Sequence, residues 1–368
     1  MSIRRRPVGV STVLLVGGGG YVGSVLAQEL LERGYAVRIL DRLYFGDHGL
    51  TGIRDRVDLT VGDMRIVSPA LLDDVEAVVN VGGLSNDPTA EYNPKANYEM
   101  NMTASVALAR MAREQGVRRY IYASSCSIYD RGVGDEARDV LLDEKADVDP
   151  PGAYAGSKLA AERELLEMTS DRFCVAVLRK ATLFGFSPRM RYDLVVNTFV
   201  KDALSKGYIS LHFGGEMWRP LAEVHDAARA YIALIRADHK VINGEIFNLV
   251  YRNFRISELA MRVRAALNEI DVPVEIRTDY SYRGVRNYRV SGHKLDRVLE
   301  VAPEVTVEES VQTMVKEIRR HNYTDFDSPR YYNIAWMKLL QEAQGVIQVT
   351  GSVFDLPKGA KPLREVGS

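Results

Sequence analysis

The chain has 368 residues, of which 46% are hydrophobic and 26% are charged, and its formal net charge is -1. This near-zero charge excludes the basic surface of a nucleic-acid-binding or membrane-surface protein, and no apolar run approaches the length of a membrane span. No apolar segment follows the basic cluster Arg4–Arg6, so the cytoplasm is the expected compartment. Two cysteines exclude a disulfide framework, and the scattered histidines predict no metal site.

The first predicted element is a buried strand over Val13–Val16, which is followed by a glycine-rich turn and a helix. The glycines of the turn have the spacing Gly-x-x-Gly-x-x-Gly. Such a turn brings backbone N–H groups close to a ligand and aims the positive end of a helix at it, which suits a pyrophosphate. Glycine-rich turns between a strand and a helix also occur for packing reasons alone. The neighbouring features therefore decide whether this turn binds a ligand. The predicted cofactor contacts here are Gly17, Gly20, Tyr21, Val22 and Gly23.

A carboxylate, Asp41, ends the second predicted strand, Ala36–Leu40. An acid at this distance from the glycines bonds the adenosine ribose hydroxyls and repels a 2′-phosphate, so NAD is favoured over NADP. Arg42 tempers this prediction, because an arginine beside the ribose accepts a phosphate; the alternative is a solvated loop residue. The loop after the third predicted strand, 57–61, adds two expected adenine-side contacts, Asp63 and Met64.

Strands and helices continue to alternate along the chain. A short helix is predicted after Ser68-Pro69, a fourth strand over 77–81, a long amphipathic helix over 97–115 and a fifth strand over 119–123. The alternation predicts an α/β fold with a doubly wound parallel sheet, whose ligand lies across the carboxyl ends of the strands. The predicted cofactor contacts at the end of the fourth strand are Val81, Gly82 and Gly83.

Three side chains suited to proton transfer follow. Ser125 lies at the mouth of the fifth strand, and Tyr154 and Lys158 are four residues apart in a predicted helix, so they share one helical face. A phenol with a pKa near 10 is a poor base at neutral pH, and a nearby ammonium favours the phenolate. A Tyr-x-x-x-Lys pair alone is common by chance, but its combination with the serine and the glycine turn is specific. We therefore predict these three residues to be catalytic.

With these motifs the sequence resembles the extended short-chain dehydrogenase/reductases (SDRs), and among them the NAD-dependent epimerase/dehydratase family that acts on nucleotide sugars. The resemblance extends from about Val13 to about Arg319. It implies a Rossmann-type sheet and a smaller C-terminal α/β substrate domain. The implied divisions are an N-terminal arm (1–11), an NAD-binding domain (12–180, completed by about 222–250), a nucleotide-sugar-binding domain (181–221 and 251–325) and a C-terminal extension (326–368). The sequence indicates no function for this extension.

The resemblance also implies roles for the catalytic residues. Tyr154 would be the general base and acid on a sugar hydroxyl, and Ser125 would bond the reacting oxygen. Lys158 would hold the nicotinamide ribose and lower the pKa of the tyrosine. Asn101 matches a helix asparagine with a structural role.

The implied substrate contacts depart from the family pattern at two places. Thr182 stands where many relatives have asparagine, and Cys126 lies one position from the cysteine of the 3,5-epimerising branch, with a buried, inert thiol as the alternative. For Arg219 and Arg289 the alternative to diphosphate binding is a surface salt bridge. The full set of implied substrate contacts is Ser85, Asn86, Ser125, Cys126, Tyr154, Thr182, Asn197, Arg219, Arg286 and Arg289.

The activity that the resemblance implies begins with hydride transfer from a sugar carbon to NAD. The family's 4,6-dehydratases carry an Asp-Glu pair directly after the catalytic hydroxyl, and its decarboxylases keep the Glu, whereas this chain has Cys126-Ser127. The leading hypothesis is therefore a nucleotide-sugar 4-epimerase acting through a 4-keto sugar. The alternatives are a dehydratase or keto-sugar reductase of the same family and a non-catalytic, dinucleotide-sensing protein. The retained Tyr154 and Lys158 argue against the last.

Two helices bear on the oligomeric state. The segments 97–115 and 153–168 resemble the pair that forms a four-helix dimer interface in this family, so a homodimer is expected. The expected partners are a nucleotide-diphosphate sugar and a second copy of the chain. Beyond Asp325, residues 331–344 have a helical apolar pattern, and the rest of the tail is predicted to be an extended arm.

Overall fold

The structure is a computed structural model that describes residues 11–130, 140–280 and 286–350, without the side chains of 213, 349 and 350. The predicted N-terminal arm up to residue 10 and the extended arm after residue 350 lie outside the described residues. Fourteen strands are described. They are β1 (Thr12–Val16), β2 (Ala36–Asp41), β3 (Asp58–Val61), β4 (Val75–Asn80), β5 (Arg119–Ser125), β6 (Leu141–Leu142), β7 (Cys174–Lys180), β8 (Thr182–Phe184), β9 (Tyr208–His212), β10 (Trp218–Glu223), β11 (Glu245–Leu249), β12 (Arg252–Arg255), β13 (Glu275–Asp279) and β14 (Arg289–Val290).

Twelve α-helices accompany these strands in the described part of the chain, with several 3₁₀ turns. They are α1 (Tyr21–Glu32), α2 (Asp87–Tyr92), α3 (Pro94–Tyr98), α4 (Ala104–Glu114), α5 (Ala153–Leu166), α6 (Val195–Lys206), α7 (Val224–Arg236), α8 (His239–Ile242), α9 (Ile256–Asn268), α10 (His293–Leu299), α11 (Val307–Arg320) and α12 (Asn333–Thr350). None of the described helices is long and apolar enough to cross a membrane.

Seven parallel strands form the central sheet, in the order β11-β7-β5-β4-β1-β2-β3. The chain builds outward from β1 to β3 and then crosses to β4 on the other side of β1. The predicted doubly wound parallel sheet is therefore confirmed. At such a switch point the loops after two neighbouring strands diverge and open a crevice for a ligand. Helices cover both faces, which explains why β1 is buried along its whole length.

A smaller body lies at the carboxyl edge of this sheet. Its strands form a three-stranded sheet in the order β12-β10-β8 and a two-stranded pair of β9 with β13. The helices α6, α9 and α11 pack with these strands around a separate apolar core that includes Phe199, Val263 and Met314. Between β10 and β12 the chain returns to the large sheet, where β11 pairs with β7.

The predicted long helix over 97–115 is interrupted. Helices α3 and α4 are separated by a π-helical turn over Glu99–Thr103, which contains Asn101. The wide turn directs the Asn101 amide at the loop after β4, where its Nδ2 donates to the Leu84 carbonyl oxygen at 2.9 Å. Gly83 comes so close that a Cβ atom on it would lie 2.2 Å from Asn101 Oδ1. Sequence periodicity does not reveal this adjustment, because the apolar spacing continues through it.

A buried ion pair joins α5 to the central sheet. Arg179, on β7, and Glu162, on α5, are 3% and 1% exposed, and Nη2 of the arginine lies 2.6 Å from Oε2 of the carboxylate. The Nε of Arg179 donates to the same carboxylate at 3.0 Å, and its Nη1 donates to the Tyr129 hydroxyl at 2.8 Å. A charge in such a place is tolerated only while its partner is present.

We predict that Arg179→Met lowers the free energy of unfolding by about 3–5 kcal/mol, because it leaves the Glu162 carboxylate buried and unpaired. The double variant Arg179→Met/Glu162→Leu, which removes both charges, should recover most of the loss. Urea unfolding followed by circular dichroism measures both. Equal destabilisation in the single and double variants would show that the unpaired charge is not the cause.

Candidate active site

The glycine turn after β1 is shaped by close backbone approach. Gly17 has a φ of 81°, and a Cβ atom on it would lie 2.7 Å from Gly82 Cα, in the loop after β4. A Cβ on Gly23 would lie 2.1 Å from the Gly17 carbonyl oxygen. Only glycine fits at either position without moving backbone. The turn therefore brings α1, whose N-cap is Gly20, end-on to the crevice beside β4.

The carboxylate of Asp41 is bound to the backbone around the turn. Its Oδ2 accepts a hydrogen bond from Gly19 N at 2.8 Å, and its Oδ1 accepts one from Leu43 N at 2.7 Å. Burial raises the pKa of this carboxyl group. The neighbouring Arg42 donates to Asp63 at 2.7 Å, so its guanidinium already has an anionic partner.

Two connected cavities lie along the carboxyl ends of the strands. The Asp41 cavity, of about 810 Å³, is bounded by the glycine turn and by the loops after β2, β3 and β4. It is lined by four residues for which adenosine-side contacts remain a prediction, namely Asp41, Arg42, Asp63 and Met64. The Tyr154 cavity, of about 1430 Å³, continues from the glycine turn toward the smaller body. Its predicted members are Gly17, Gly20, Tyr21, Val22, Gly23, Val81, Gly82, Gly83, Ser85, Asn86, Ser125, Tyr154, Lys158, Thr182, Arg219 and Arg286.

The three predicted catalytic residues lie together in the Tyr154 cavity. Burial raises the pKa of the Tyr154 phenol, while a hydrogen bond with the Ser125 side chain and the charge of Arg191 oppose that rise. Ser125 Oγ accepts hydrogen bonds from Ser127 N at 3.1 Å and from Ser127 Oγ at 2.9 Å. With its lone pairs used in this way, the Ser125 hydroxyl acts as a donor, toward Tyr154 in this structure and toward a reacting oxygen when one lies between the two side chains.

Lys158 differs from its implied role in one respect. Its ammonium donates to the Ala123 carbonyl oxygen at 3.0 Å and lies 4.8 Å from the centre of the Tyr122 ring. The cation that lowers the pKa of Tyr154 in this structure is Arg191. Burial lowers the pKa of Lys158 itself to about 7, against the pull of Glu162 one turn further along α5.

A second buried lysine lies beside the first. Lys180, the last residue of β7, donates to the Ser124 carbonyl oxygen at 3.1 Å and to the Tyr231 hydroxyl at 3.3 Å. Burial and the nearby charge of Lys158 lower its pKa to about 7. It also lines the Tyr154 cavity. No local pattern in the sequence marks Lys180 as a site residue, although it lies two positions before Thr182, a predicted substrate contact.

The far end of the Tyr154 cavity contains two predicted diphosphate contacts. Arg286 forms an ion pair with Asp87 and lies 3.7 Å from Asp130. Arg219 donates to the Arg286 carbonyl oxygen and, at 3.0 Å, to that of Trp218. Arg219 belongs to β10, whereas Arg286 lies in the irregular segment before β14, and both side chains line the cavity.

Three of the predicted substrate contacts lie outside the cavity lining. Cys126 is 1% exposed and donates to the Arg179 carbonyl oxygen at 3.3 Å, and burial raises the pKa of its thiol, so the inert-thiol alternative describes it. Asn197 lies inside α6 rather than before it. It is fully buried, accepts from Gly185 N at 3.0 Å and donates to the Arg191 carbonyl oxygen at 2.9 Å. Arg289 contacts the Trp218 ring instead.

Two further cavity-lining residues, Arg189 and Arg191, were not predicted from the sequence. Arg191 pairs with Asp193 through two hydrogen bonds of 2.8 and 3.0 Å. Arg189 reaches Asn333, which is 144 positions away along the chain. The available signal was the Arg-x-Arg-x-Asp spacing just after the Gly185 turn. It places alternating basic residues at the carboxyl ends of the strands, where anions bind.

The two cavities fit a dinucleotide. The glycine turn is tightly packed, since a Cβ atom at Gly17 or Gly23 would clash with backbone. The same turn directs the N-terminus of α1 at the crevice, where backbone N–H groups suit a pyrophosphate. Asp41 supplies a carboxylate to the Asp41 cavity, and a carboxylate at this position suits the hydroxyls of an adenosine ribose. The cations of the Tyr154 cavity match the two negative charges of the pyrophosphate. Among the residues that the structure describes, no group of His, Cys, Asp and Glu is arranged for a metal ion.

We predict that the free energy of unfolding, measured without added nucleotide, rises between pH 7 and pH 10 in part because of Lys180. Its folded-state pKa is about 7, whereas the unfolded chain keeps the proton up to about pH 10.4. The unfolded state therefore binds more protons in this window, which favours folding as the pH rises, by at most about 1.4 kcal/mol per pH unit.

Urea unfolding at pH 7, 8 and 9 measures the slope. The Lys180→Met variant should show a shallower rise than the parent chain, and the exposed-site control Lys240→Met should keep the parent slope. Parallel curves for Lys180→Met and the parent would mean that Lys180 keeps its proton in the folded protein.

Comparison with known proteins identifies the family. Residues 13–249 match the NAD dependent epimerase/dehydratase family. A putative UDP-glucose 4-epimerase of Methanocaldococcus jannaschii is 22% identical over 325 residues, 85% of this chain and 100% of that protein. A UDP-N-acetyl-alpha-D-glucosaminuronate decarboxylase of Bacillus cytotoxicus is 25% identical over 318 residues, 83% of this chain and 97% of that protein.

A solved structure has the same fold. The UDP-glucuronic acid 4-epimerase from Bacillus cereus, in complex with UDP-glucuronic acid and NAD, superposes with a TM-score of 0.72 at 19% identity. It covers 84% of this chain and 99% of its own, so part of this chain has no counterpart there. Because the family match spans well over half of the sequence and agrees with the sheet and the glycine turn, the chain belongs to the NAD-dependent epimerase/dehydratase family of the extended SDRs, with NAD as its cofactor.

Proposed function

We propose that this protein is an NAD-dependent epimerase that inverts C4 of a nucleotide-diphosphate sugar through a transient 4-keto sugar. The observation that carries the proposal is the composition of the Tyr154 cavity. It holds one phenol suited to proton transfer, a hydroxyl that supports it and a set of cations for phosphates. Among the described lining residues the one carboxylate is Asp193, which is engaged by Arg191.

The chain's own residues would handle the proton. A C4 hydroxyl placed between Ser125 and Tyr154 loses its proton to Tyr154 Oη as the hydride leaves carbon, and it regains that proton when the hydride returns to the other face. NAD, when bound, supplies the acceptor and donor for that hydride. Ser125 donates to the reacting oxygen, which becomes a carbonyl oxygen. Arg191 favours the phenolate form of Tyr154 by its charge. Lys158 is assigned to the nicotinamide ribose, as the family resemblance implies.

The rest of the substrate would extend into the smaller body. Arg219 and Arg286 are suited to the diphosphate because a guanidinium presents paired donors to phosphate oxygens. Arg286 already pairs with Asp87, so binding of the diphosphate exchanges one anionic partner for another. Ser85, Asn86 and Thr182 line the same cavity as the arginines and Tyr154 and would contact the sugar.

The lack of a second acid is what separates C4 epimerisation from the family's other reactions. Loss of water from C6 needs an acid and a base beside the sugar ring, in addition to the catalytic tyrosine. In this chain the two residues after Ser125 are Cys126, which is buried behind β7, and Ser127, which bonds Ser125. Neither supplies an acid. Oxidation and reduction at one carbon require only the groups that the described part of the cavity contains.

The direct test is incubation of the purified protein in D₂O with a panel of UDP-, GDP-, ADP-, CDP- and dTDP-sugars, analysed by ion-exchange chromatography and mass spectrometry. A C4 epimer should appear with unchanged mass, because the same hydrogen leaves and returns as hydride. Inversion next to the carbonyl would add deuterium, and a dehydratase or a decarboxylase would lower the mass. Consumption of external NADPH would indicate a reductase. Any of these three results, or no conversion of any sugar, contradicts the proposal.

The matched variants are Tyr154→Phe and Tyr208→Phe. Loss of the Tyr154 hydroxyl should lower kcat by about 10²–10⁴-fold, since general acid–base catalysis contributes that much. Tyr208 lies on β9, outside both cavities, and its variant should keep the parent rate. The NAD content of each preparation is measured in parallel. A Tyr154→Phe variant with full NAD and undiminished kcat would remove the tyrosine from the mechanism.

A homodimer is the second part of the proposal. Helices α4 and α5 pack side by side, and Arg110 and Glu164 face each other across them at 3.4 Å on the exposed side. Two such pairs from two copies would form a four-helix interface. Light scattering should give twice the chain mass of 41.2 kDa. The variant Arg110→Glu, which places like charges together on this face, should shift the protein toward monomer. A parent chain that is monomeric at all concentrations would exclude the dimer.

A further inference from the structure

The start of α12 closes over the Asp41 cavity. Trp336 Nε1 donates to the Tyr44 carbonyl oxygen at 2.5 Å, in the loop after β2. Asn333 Nδ2 donates to Ser85 Oγ at 2.6 Å, in the loop after β4. Asn333 and Met337 both line the cavity. The first turns of this helix therefore bridge the two loops between which the crevice of the sheet opens.

Beneath α12 lies a buried cation, Arg189, that forms no ion pair with any residue that the structure describes. Arg189 is 2% exposed, and its guanidinium stacks on the Phe45 ring at 3.6 Å from the ring centre. Its Nη2 donates to Asn333 Oδ1 at 2.7 Å, and its Nε is buried without a hydrogen-bond partner. A neutral amide and an aromatic face do not compensate a full charge that is removed from water.

The carboxylates near Arg189 are already engaged. Asp193 is bound by Arg191 through two hydrogen bonds, and it also accepts from Asn333 N at 3.1 Å. Asp41 is bound by two backbone N–H groups of its own loop. Burial and the charge of Arg191 lower the pKa of Arg189 to about 9. The buried, charged guanidinium of Arg189 therefore destabilises the folded protein, and a bound anion would offset this cost.

Arg189 is placed for the anion that the glycine turn attracts. It lines the Tyr154 cavity together with Gly17 and Gly20. A Cβ atom on Gly49 would lie 3.0 Å from Arg189 Cβ and 3.1 Å from the Gly19 carbonyl oxygen, so Gly49 packs against both and Arg189 lies close to the turn. The turn and the N-terminus of α1 approach a pyrophosphate from one side. Arg189 approaches the same place from the other.

We propose that Arg189 and the first two turns of α12, through Asn333, Trp336 and Met337, form a clamp that holds NAD in its groove. In this clamp Arg189 binds the cofactor pyrophosphate, and Asn333 orients Arg189 while tying it to Ser85. Met337 and Trp336 close the adenosine side against the Tyr44 loop. The cofactor then leaves only when α12 lifts, so it exchanges slowly. The proposal concerns NAD, which family membership supplies, and it does not depend on which carbon of the sugar reacts.

The test measures NAD retention without any sugar. The NAD content of the purified protein is determined after acid extraction, and the release rate is measured by exchange against labelled NAD⁺. We expect Trp336→Ala and Arg189→Met to release NAD at least tenfold faster than the parent, and Arg189→Lys to restore part of the loss. The controls are Leu339→Ala, on the exposed side of α12, and Arg277→Met, on β13; both should retain the parent rate.

A second readout separates cofactor binding from a purely structural role. Arg189→Met removes an unpaired buried charge, so it should raise the melting temperature of the protein freed of nucleotide while it reduces the increase caused by saturating NAD⁺. A structural arginine would give a lower melting temperature in both states. Parent-like release rates in both Arg189→Met and Trp336→Ala, or a melting temperature that falls in the absence of NAD, would overturn the clamp.

Discussion

The buried ion pair between Arg179 and Glu162 positions the chemistry of this protein. Tyr154, Lys158 and Glu162 follow one another at intervals of four residues, so they form a single stripe along α5. Glu162, the third residue of this stripe, is anchored to β7 by its ion pair with Arg179. The other two therefore lie over the ends of β5 and β7, next to Ser125 and Lys180, whose strands are paired in register. One charge pair thus sets the distance between the tyrosine and the sheet that carries its serine.

The same geometry concentrates positive charge at the carboxyl ends of the strands. Of the cations in the Tyr154 cavity, Arg191 and Arg286 have carboxylate partners, whereas Lys158 and Lys180 bond neutral carbonyl oxygens and Arg189 bonds an amide. The two lysines respond to burial with a lowered pKa. The groove is therefore suited to ligands that carry several negative charges, and such ligands would compensate its buried positive charges. A dinucleotide and a second nucleoside diphosphate have that charge.

The parts of the site that the sequence predicted are those carried by short, local patterns. The glycine turn, Asp41 and the Tyr154–Lys158 pair each depend on residues within a few positions of one another, and the parallel sheet makes their meeting unavoidable. Asn197 and Cys126 were assigned to the substrate because of where they lie along the chain, but a side chain in α6 or just after β5 can also point into a core, and both do. Which face a polar residue takes is decided by packing that no local pattern records.

The clamp could not be predicted from the sequence for a different reason, which is the distance between its parts along the chain. Asn333 meets Ser85 across 248 positions of the chain, and Trp336 meets the Tyr44 carbonyl across 292. Nothing near these residues in the sequence marks them as cofactor contacts. The π-helical turn around Asn101 is a similar case, since its cause is the loop after β4 and not the helix itself.

Slow cofactor exchange bears on which family reaction this chain performs. A reductase consumes one reduced cofactor per turnover and must release the oxidised form each time, so a helix closed over the groove would limit its rate. An epimerase returns the hydride to its own substrate, and its cofactor is restored within each turnover. A groove closed by α12 hinders the first reaction and protects the second from loss of the cofactor. The same contact that ties Asn333 to Ser85 also joins the closed groove to the loop that faces the sugar. The position of α12 therefore favours a reaction in which the nucleotide sugar enters and leaves while the dinucleotide stays.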